Sequence, residues 1–232
     1  MLWKSAQDFG RLIFQRRQIS GFRAPYGTEY LEQAIAYRLF CPISCSPNQK
    51  EIMAKTLYIC YFGLREPLVQ TQVLPYLREI IKDGVRVELL TFEPARKGGK
   101  NVNRQVRERE FEAVRKELAA EGIEWHWLTY HKRFSVLATA YDICRGAIYI
   151  WNRLRKEEID VLHGRVHIPT LMGALARKLS RRKPKLLFDI RGFFPEEYTD
   201  AGRWPENGWL FRSAKRVEKW LLKEADGFVV LT

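Results

Sequence analysis

Two histidine-containing segments carry the residue types from which a binding or catalytic site can be built. His131 and Lys132 follow a run of alternating aromatic residues, and together they either face an anionic ligand or form a solvated charge cluster. His163 ends an apolar run, where an imidazole can hydrogen-bond to a ligand hydroxyl or carry a proton. A histidine satisfied by nearby backbone groups would give the same pattern, so both interpretations stay open.

Another set of polar residues lies further along the chain. Arg165 offers a planar guanidinium fork to a phosphate or carboxylate, and His167 lies two positions beyond it. Asp189, Arg191 and Gly192 end the next apolar run. We expect Asp189 and Arg191 to point to opposite faces of their strand, so that one stabilises the scaffold while the other faces a ligand.

The loop after the first apolar run contains a single glycine, Gly63. It therefore lacks both the Gly-x-Gly-x-x-Gly pattern of dinucleotide-binding loops and the lysine motif of nucleotide phosphate loops. Gly63 still allows the backbone to approach an anion at a helix N-terminus. A purely structural turn would use a glycine equally well.

Strand-like apolar runs and helical patterns alternate from residue 55 onward. The runs predict strands at 57–61, 85–92, 123–129, 159–163, 185–189 and 227–231. The helical patterns predict helices at 70–82, 104–121, 138–157, 168–182 and 209–224. Single helices between strands indicate right-handed crossovers, so the predicted fold class is α/β with a Rossmann-like, doubly wound parallel sheet. Ligands bind such sheets at the carboxyl ends of the strands, which places the polar segments at one edge.

The chain is strongly basic, with 40 lysines and arginines against 27 aspartates and glutamates and a formal net charge of +13. This excess favours an acidic membrane surface or phosphorylated small molecules as partners. We expect no nucleic-acid partner, because no RNP-type, zinc-finger or helix-turn-helix motif accompanies the charge. Hydrophobic residues make up 46% of the chain, which is ample for a globular core.

The four cysteines and the N-terminal region bear on the cellular compartment. Cys41, Cys45, Cys60 and Cys144 are too few and too scattered for a disulfide scaffold, and no zinc-finger spacing follows the first pair. We therefore expect reduced thiols, no metal and a cytoplasmic chain. Residues 1–52 are interpreted as an irregular basic extension, either mis-started or resting on a membrane, and residues 53–232 as the globular domain.

Several motifs of the globular region, taken in order, resemble the N-terminal domain of glycosyltransferase family 4. The segment 66–77, Glu-Pro-Leu-Val-Gln-Thr-Gln-Val-Leu-Pro-Tyr-Leu, is similar to the start of that domain after its first strand. The similarity continues through residues 130–132, 135–139, 161–165 and 189–192, and through the tail at 218–232. It covers the chain from about residue 55 to residue 232.

The resemblance implies the GT-B architecture, in which two Rossmann-like domains enclose the active site. This chain would be the N-terminal, acceptor-side half, truncated before the C-terminal donor domain and inactive as a fragment. Such enzymes transfer a sugar from a nucleotide-sugar to an acceptor with retention and without an obligatory metal. The nucleotide-sugar is a co-substrate rather than a cofactor. A glycan or lipid-linked acceptor at the anionic inner face of the plasma membrane fits the basic surface.

The resemblance also implies roles for individual residues. His163 would be the catalytic residue that contacts the transferred sugar, and Gly63 would approach the donor phosphate. Where many relatives have His-x-His, Arg165 and His167 flank the second position, so the sugar contact stays open among the three residues. Asp189, Arg191 and Gly192 would shape the cleft and contact the acceptor.

Two alternative functions remain open from the sequence. The chain could be a stand-alone, non-catalytic module that binds glycan or lipid. It could instead be a fragment of a GT-B-fold nucleotide-sugar epimerase, although a soluble substrate would leave the basic surface without a role.

Overall fold

The computed structural model describes residues 54–94, 102–131, 136–206 and 208–230, with only the backbone described for residues 102–107. The predictions for residues 1–52 and for Lys132 lie outside the described residues. Within them, six strands form one parallel sheet in the order β3-β2-β1-β4-β5-β6. The strands are β1 (Lys55–Ile59), β2 (Arg86–Pro94), β3 (Ile123–Tyr130), β4 (Val161–Arg165), β5 (Lys185–Ile190) and β6 (Gly227–Val230). The predicted Rossmann-like sheet is confirmed.

The helices connect these strands in the predicted sequence. They are α1 (Leu74–Lys82), α2 (Val102–Ala120), α3 (Val136–Lys156), α4 (His167–Leu179), α5 (Phe194–Asp200) and α6 (Trp209–Glu224). A π-helical segment, Val69–Val73, precedes α1, so the single helix predicted at 70–82 is two elements. No helix in the described part of the chain is long and apolar enough to cross a membrane.

Helix α5 lies where a loop was expected after β5. Residues in its first turn favour the start of a helix. Pro195 occupies the first turn, where its missing N–H is not needed, and Glu196 and Glu197 place negative charge at the positive end of the helix dipole. The prediction of a loop throughout this region was therefore wrong.

The core has one layer on each face of the sheet. Along β1, Tyr58 packs on one face with the buried side chains of α1, while Leu57 and Ile59 pack on the other face with α3 and α4. This alternation follows from the two-residue period of a strand. Burying each large apolar side chain contributes about 1.5–3 kcal/mol, and both faces are covered as a doubly wound sheet requires.

Strand β3 forms one edge of the sheet, as its alternating pattern predicts. The buried Trp125 indole donates a hydrogen bond to Thr91 Oγ1 at 3.0 Å. Its ring centroid lies 4.8 Å from that of Trp127, and Phe111 of α2 packs edge-on against both. These contacts hold an edge strand that has a hydrogen-bonded neighbour on one side only.

Strand β4 begins and ends two residues later than predicted. Asp160 precedes the strand, and its carboxylate accepts a hydrogen bond from the amide of Lys55, the first residue of β1, at 2.8 Å. Asp160 is therefore bonded to the start of β1 and is not part of β4. Arg165 therefore lies inside the strand, paired with Asp189 of β5, and His167 begins α4. Val166, between them, has φ 67° and ψ −179°, a conformation that costs a β-branched residue about 1–3 kcal/mol.

Candidate functional site

The strand order reverses between β1 and β4, so the carboxyl ends of these two strands form the switch point at which doubly wound sheets bind ligands. The structure brings most of the predicted residues to this edge. Tyr58 from β1, His163 and Arg165 from β4 and Asp189 from β5 are in contact, and Tyr76 of α1 packs over them. We call these five residues the buried polar cluster.

His163 is completely buried within this cluster. Its ring packs against Tyr58 with centroids 4.5 Å apart, and its Nδ1 atom lies 3.5 Å from Tyr76 Oη. Burial disfavours the imidazolium, and the nearby Arg191 and Arg165 add positive charge, so the pKa of His163 falls to about 3. The ring is neutral at ordinary pH and exposes no surface to a ligand.

Asp189 is the negative centre of the cluster. It accepts a hydrogen bond from Tyr58 Oη at 3.2 Å, and its Oδ2 atom lies 3.7 Å from Arg165 Nη1. On the other side, Oδ1 lies 2.7 Å from Arg191 Nε. Burial raises the pKa of Asp189, and the two guanidinium groups partly offset this effect.

The contact between Asp189 and Arg191 corrects the expectation that they point to opposite faces. Residues two apart on an extended chain share a face, so the pair is a natural consequence of strand geometry. Arg191 is also the member of the pair nearer to solvent, with a side chain 13% exposed against 1% for Asp189.

Arg165 and His167 connect elements to one another. Arg165 is buried, and its Nη2 atom donates a hydrogen bond to Gln72 Oε1 of the π-helical segment. His167 Nε2 lies 3.0 Å from Glu218 Oε2 of α6, and its ring packs edge-on against Phe188. In the structure, the guanidinium of Arg165 is thus engaged by the π-helical segment, and the ring of His167 by α6 and β5.

The two glycines of the predicted site allow close approach of carboxylates. A Cβ atom at Gly63 would lie 2.9 Å from Glu93 Oε2, and one at Gly192 would clash with Glu197 Oε1. Glu93 is buried and accepts hydrogen bonds from the Leu64 amide and from Thr91 Oγ1, both at 2.7 Å. The loop amide that could have faced a phosphate is therefore already bonded to a carboxylate.

His131 is the predicted site histidine that reaches solvent, with a side chain 42% exposed. It follows β3 at the same carboxyl edge. Its Nδ1 atom lies 2.7 Å from Oδ1 of Asp142, whose side chain is fully buried. Tyr61, in the loop after β1, donates a hydrogen bond to the other carboxylate oxygen at 2.8 Å. We call Tyr61, His131 and Asp142 the exposed-edge triad.

Sequence reasoning missed Asp142, although a signal was present. Asp142 lies at a buried position of α3, in register with the buried residues Gly146, Ile150 and Leu154 at intervals of four. An acidic residue on the apolar face of a helix needs a partner, because an isolated buried carboxylate is costly. The partner donors here are Tyr61 and His131.

Away from this edge, Glu88, Glu124 and His126 have ligand atoms that all lie within 4.8 Å of one another, as in a metal site. Lys55 Nζ and Arg153 Nη2 both contact Glu88 Oε1, the latter at 2.8 Å, and Arg153 Nη2 also lies 3.2 Å from Glu124 Oε1. Burial and the Arg153 charge lower the pKa of His126. Because two cations already neutralise these carboxylates, the residues form an ion-pair network and do not fit a metal site.

Residues 69–232 match the family profile described as "Glycosyl transferase 4-like domain". A glycosyltransferase structure from Rickettsia africae ESF-5 is similar, with 17% identity, a TM-score of 0.39 and coverage of 63% of this chain and 34% of that one. Acinetobacter baumannii MurG has 12% identity, a TM-score of 0.40 and coverage of 76% and 41%. The chain thus spans well under half the length of either structure, and likeness at this level carries no argument about function. No curated protein sequence matches the chain.

Proposed function

The chain belongs to the family of glycosyl transferase 4-like domains, and from this premise we propose that it forms the N-terminal, acceptor-side half of a GT-B enzyme. That enzyme would transfer a sugar from a nucleotide-sugar donor to a glycan or lipid-linked acceptor with retention. The observation that carries the proposal is the convergence of polar side chains from β1, β4 and β5 at the switch point of the sheet, with His131 at the same carboxyl edge, after β3. In such folds this edge is where ligands bind.

Within this proposal, the buried polar cluster positions the edge of the cleft. His163 exposes no surface, so we assign it a positioning role through Tyr58 and Asp189 in place of the sugar contact that the resemblance implies. Arg191, the more exposed partner of Asp189, is the cationic group available to a substrate oxygen. Gly192 lets Glu197 approach the same loop.

The donor diphosphate gains negative charge as the sugar departs, and preorganised cations and amides would stabilise it. The Leu64 amide is bonded to the buried Glu93 carboxylate, which would repel a phosphate placed beside Gly63. We therefore propose that Gly63 shapes the first loop, and that the cations facing the diphosphate come from a C-terminal donor domain.

We further propose that this edge rests on an anionic membrane. The chain carries a net charge of +13, and each lysine or arginine near an anionic leaflet contributes about 1 kcal/mol. Val136, Leu137 and Tyr141, in the first two turns of α3, are exposed beside the histidine of the exposed-edge triad. Apolar side chains at that place can insert between lipid headgroups.

A transfer assay tests the proposed function. The protein containing this chain is incubated with radiolabelled UDP- and GDP-sugars and a bacterial lipid extract, and the anomeric configuration of any product is read by NMR. We expect label in the lipid or glycan fraction with the anomeric configuration of the donor. Glycan or lipid binding that is independent of nucleotide-sugar would indicate a binding module instead. Interconversion of free nucleotide-sugars would indicate an epimerase.

The membrane contact has its own test with matched variants. Leu137 is 80% exposed at the start of α3, and Leu179 is 62% exposed at the end of α4, on the opposite edge of the sheet. We expect Leu137→Glu to weaken sedimentation with phosphatidylglycerol vesicles and Leu179→Glu to leave it unchanged. Equal binding by both variants, or binding that is insensitive to salt, would contradict docking through this edge.

A further inference from the structure

Helix α6 carries a row of exposed cations along one side. Its solvent-facing positions follow one another at intervals of three and four residues, so they lie on one face of the helix. They are Trp209, Arg212, Arg216, Lys219 and Lys223, and we call them the α6 basic stripe. The acidic residues of α6 are less exposed and lie outside this row; they are Glu218 and Glu224. A helix rises 1.5 Å per residue, so the four cations span about 16 Å.

The stripe cations lack the acidic partners that neighbouring cations have. Lys215, on another side of α6, lies 2.5 Å from Glu218, and Lys178 of α4 lies 3.7 Å from Glu224. Among the residues that the structure describes, the four cations of the stripe form no ion pair. Like charges three or four residues apart repel one another on a helix. An anionic partner along this face would therefore be stabilising.

The stripe begins at the carboxyl edge of the sheet. Helix α6 joins the parallel strands β5 and β6, so its first turn lies at the edge where β5 ends. Trp209 is the first residue of the helix, and it is 68% exposed. The face of an exposed indole is a flat apolar surface on which the C–H face of a sugar ring can stack. An aromatic ring followed by a row of cations therefore matches a chain of sugars that carries negative charge.

We propose that the α6 basic stripe binds an anionic glycan, whose sugar units carry carboxylate or phosphate groups, as the acceptor. The proposal rests on the proposed function and names the class of acceptor. The sugar at the carboxyl edge stacks on Trp209, and the neighbouring units lie along the cations. A membrane fits this face less well, because the exposed residues between Trp209 and Lys223 are all cationic and none can insert between lipid headgroups.

The first experiment measures binding and needs no sugar transfer. The protein containing this chain is titrated calorimetrically with polygalacturonate, which has a carboxylate on each sugar unit, and with neutral dextran. We expect polygalacturonate to bind about tenfold more tightly than dextran or better, with an affinity that falls as salt rises. The double variant Arg216→Glu, Lys219→Glu should lose about tenfold in affinity for polygalacturonate or more.

The double variant Arg109→Glu, Lys116→Glu is the matched control. Both residues are exposed on α2, which packs on the opposite face of the sheet from α6. The control changes the net charge by the same amount, so it should bind polygalacturonate like wild type. Equal losses in the two double variants would show that binding follows total charge, and would overturn the stripe as a site.

Two further probes separate a glycan from other polyanions. Trp209→Ala should weaken the binding of polygalacturonate severalfold and leave the binding of inorganic polyphosphate unchanged, because only the glycan has a sugar ring to stack. Equal effects on the two probes, or no effect on either, would overturn the glycan. The partner would be a membrane if Arg216→Glu, Lys219→Glu abolished sedimentation with phosphatidylglycerol vesicles but kept full affinity for polygalacturonate, and the proposal would then fail.

The transfer assay distinguishes this proposal from the proposed function. If the wild-type protein transfers sugar and Arg216→Glu, Lys219→Glu leaves the acceptor KM unchanged, the assignment of the acceptor fails and the proposed function stands. We expect instead a rise of about tenfold in the acceptor KM with little change in the donor KM. If the wild-type protein binds polygalacturonate through the stripe but transfers no sugar, the proposed function fails, whereas the stripe stands as a surface for anionic glycans.

Discussion

Two histidines at the same edge of the sheet each face an aspartate, yet their surroundings make them chemically different. His163 lies 3.9 Å from Asp189 with a side chain that is 0% exposed, while His131 lies 2.7 Å from Asp142 with a side chain that is 42% exposed. Burial and two nearby guanidinium groups lower the pKa of His163 to about 3, so it cannot accept a proton near neutrality. The pairing of residue types is therefore a poor guide to chemistry unless the exposure of the pair is known.

The largest expected effect tests whether the buried polar cluster is held by its carboxylate. Asp189→Ala leaves Arg165 and Arg191 without their buried counter-charge, and we expect a loss of about 3–5 kcal/mol in the free energy of unfolding. Urea denaturation measures it. Glu158→Ala, at a side chain 84% exposed, is the control and should change stability by less than about 0.5 kcal/mol. Similar losses in the two variants would contradict the structural role of Asp189.

The pH dependence of the free energy of unfolding should reveal the lowered pKa of His163. Because the folded pKa of His163 is about 3, below its ordinary value near 6.5, the unfolded state takes up its proton first as the pH falls. His163 should therefore lower the free energy of unfolding by about 1.4 kcal/mol per pH unit between pH 6.5 and pH 3, and have no effect above pH 7. The difference between wild type and His163→Gln, measured by denaturation from pH 7 to pH 4, isolates this contribution. A difference that does not vary with pH would refute the lowered pKa.

A third prediction concerns Val166, which lies between the buried Arg165 and the start of α4. Val166 has a positive φ that glycine adopts without cost. Val166→Gly should therefore leave stability unchanged or raise it by about 1 kcal/mol, after the loss of some apolar contact. Val161→Gly, at a buried position of β4, should cost about 3 kcal/mol. Thermal unfolding compares the two variants, and equal destabilisation would show that Val166 is not strained.

The smallest expected effect lies at the exposed edge. His131→Gln should change the free energy of unfolding by less than about 0.5 kcal/mol, because the replaced ring is only half-buried and the glutamine amide also carries a donor for the Asp142 carboxylate. His163→Gln at pH 7 should cost more than this, since the replaced ring is fully buried between two tyrosines. Should His131→Gln destabilise the fold as much as His163→Gln, the contrast between the two regions would disappear.

Much of the fold could be predicted because strand and helix periods are local properties of the sequence. The order of elements and the edge position of β3 follow from apolar runs, alternation and single crossover helices. Helix α5 was not predicted, because a short segment rich in glutamate and aromatic residues shows no clear helical pattern in the sequence. The bounds of β4 were predicted two residues too early, because the side chain of Asp160 hydrogen-bonds to the Lys55 amide of the neighbouring strand. Such a tertiary contact is not visible in the local sequence.

The candidate site was predicted as a set of residues, but not as an arrangement. The sequence indicates that His163, Arg165 and Asp189 end neighbouring strands, and they are indeed in contact. Their burial depends on Tyr76 and Gln72, which α1 and the π-helical segment bring over the strand ends from about 90 residues away. Asp142 was not predicted as a site residue for the same reason, since its role depends on a tertiary contact with His131, after the end of β3.

The aromatic contacts of β3 have a spectroscopic consequence. The rings of Trp125 and Trp127 lie 4.8 Å apart with 36° between their planes, close enough for their electronic transitions to couple. The same strand leads directly to His131, so a shift of this edge on ligand binding would alter the near-ultraviolet circular dichroism of the pair. The protein thus contains an intrinsic optical reporter of the strand that leads to the exposed-edge triad.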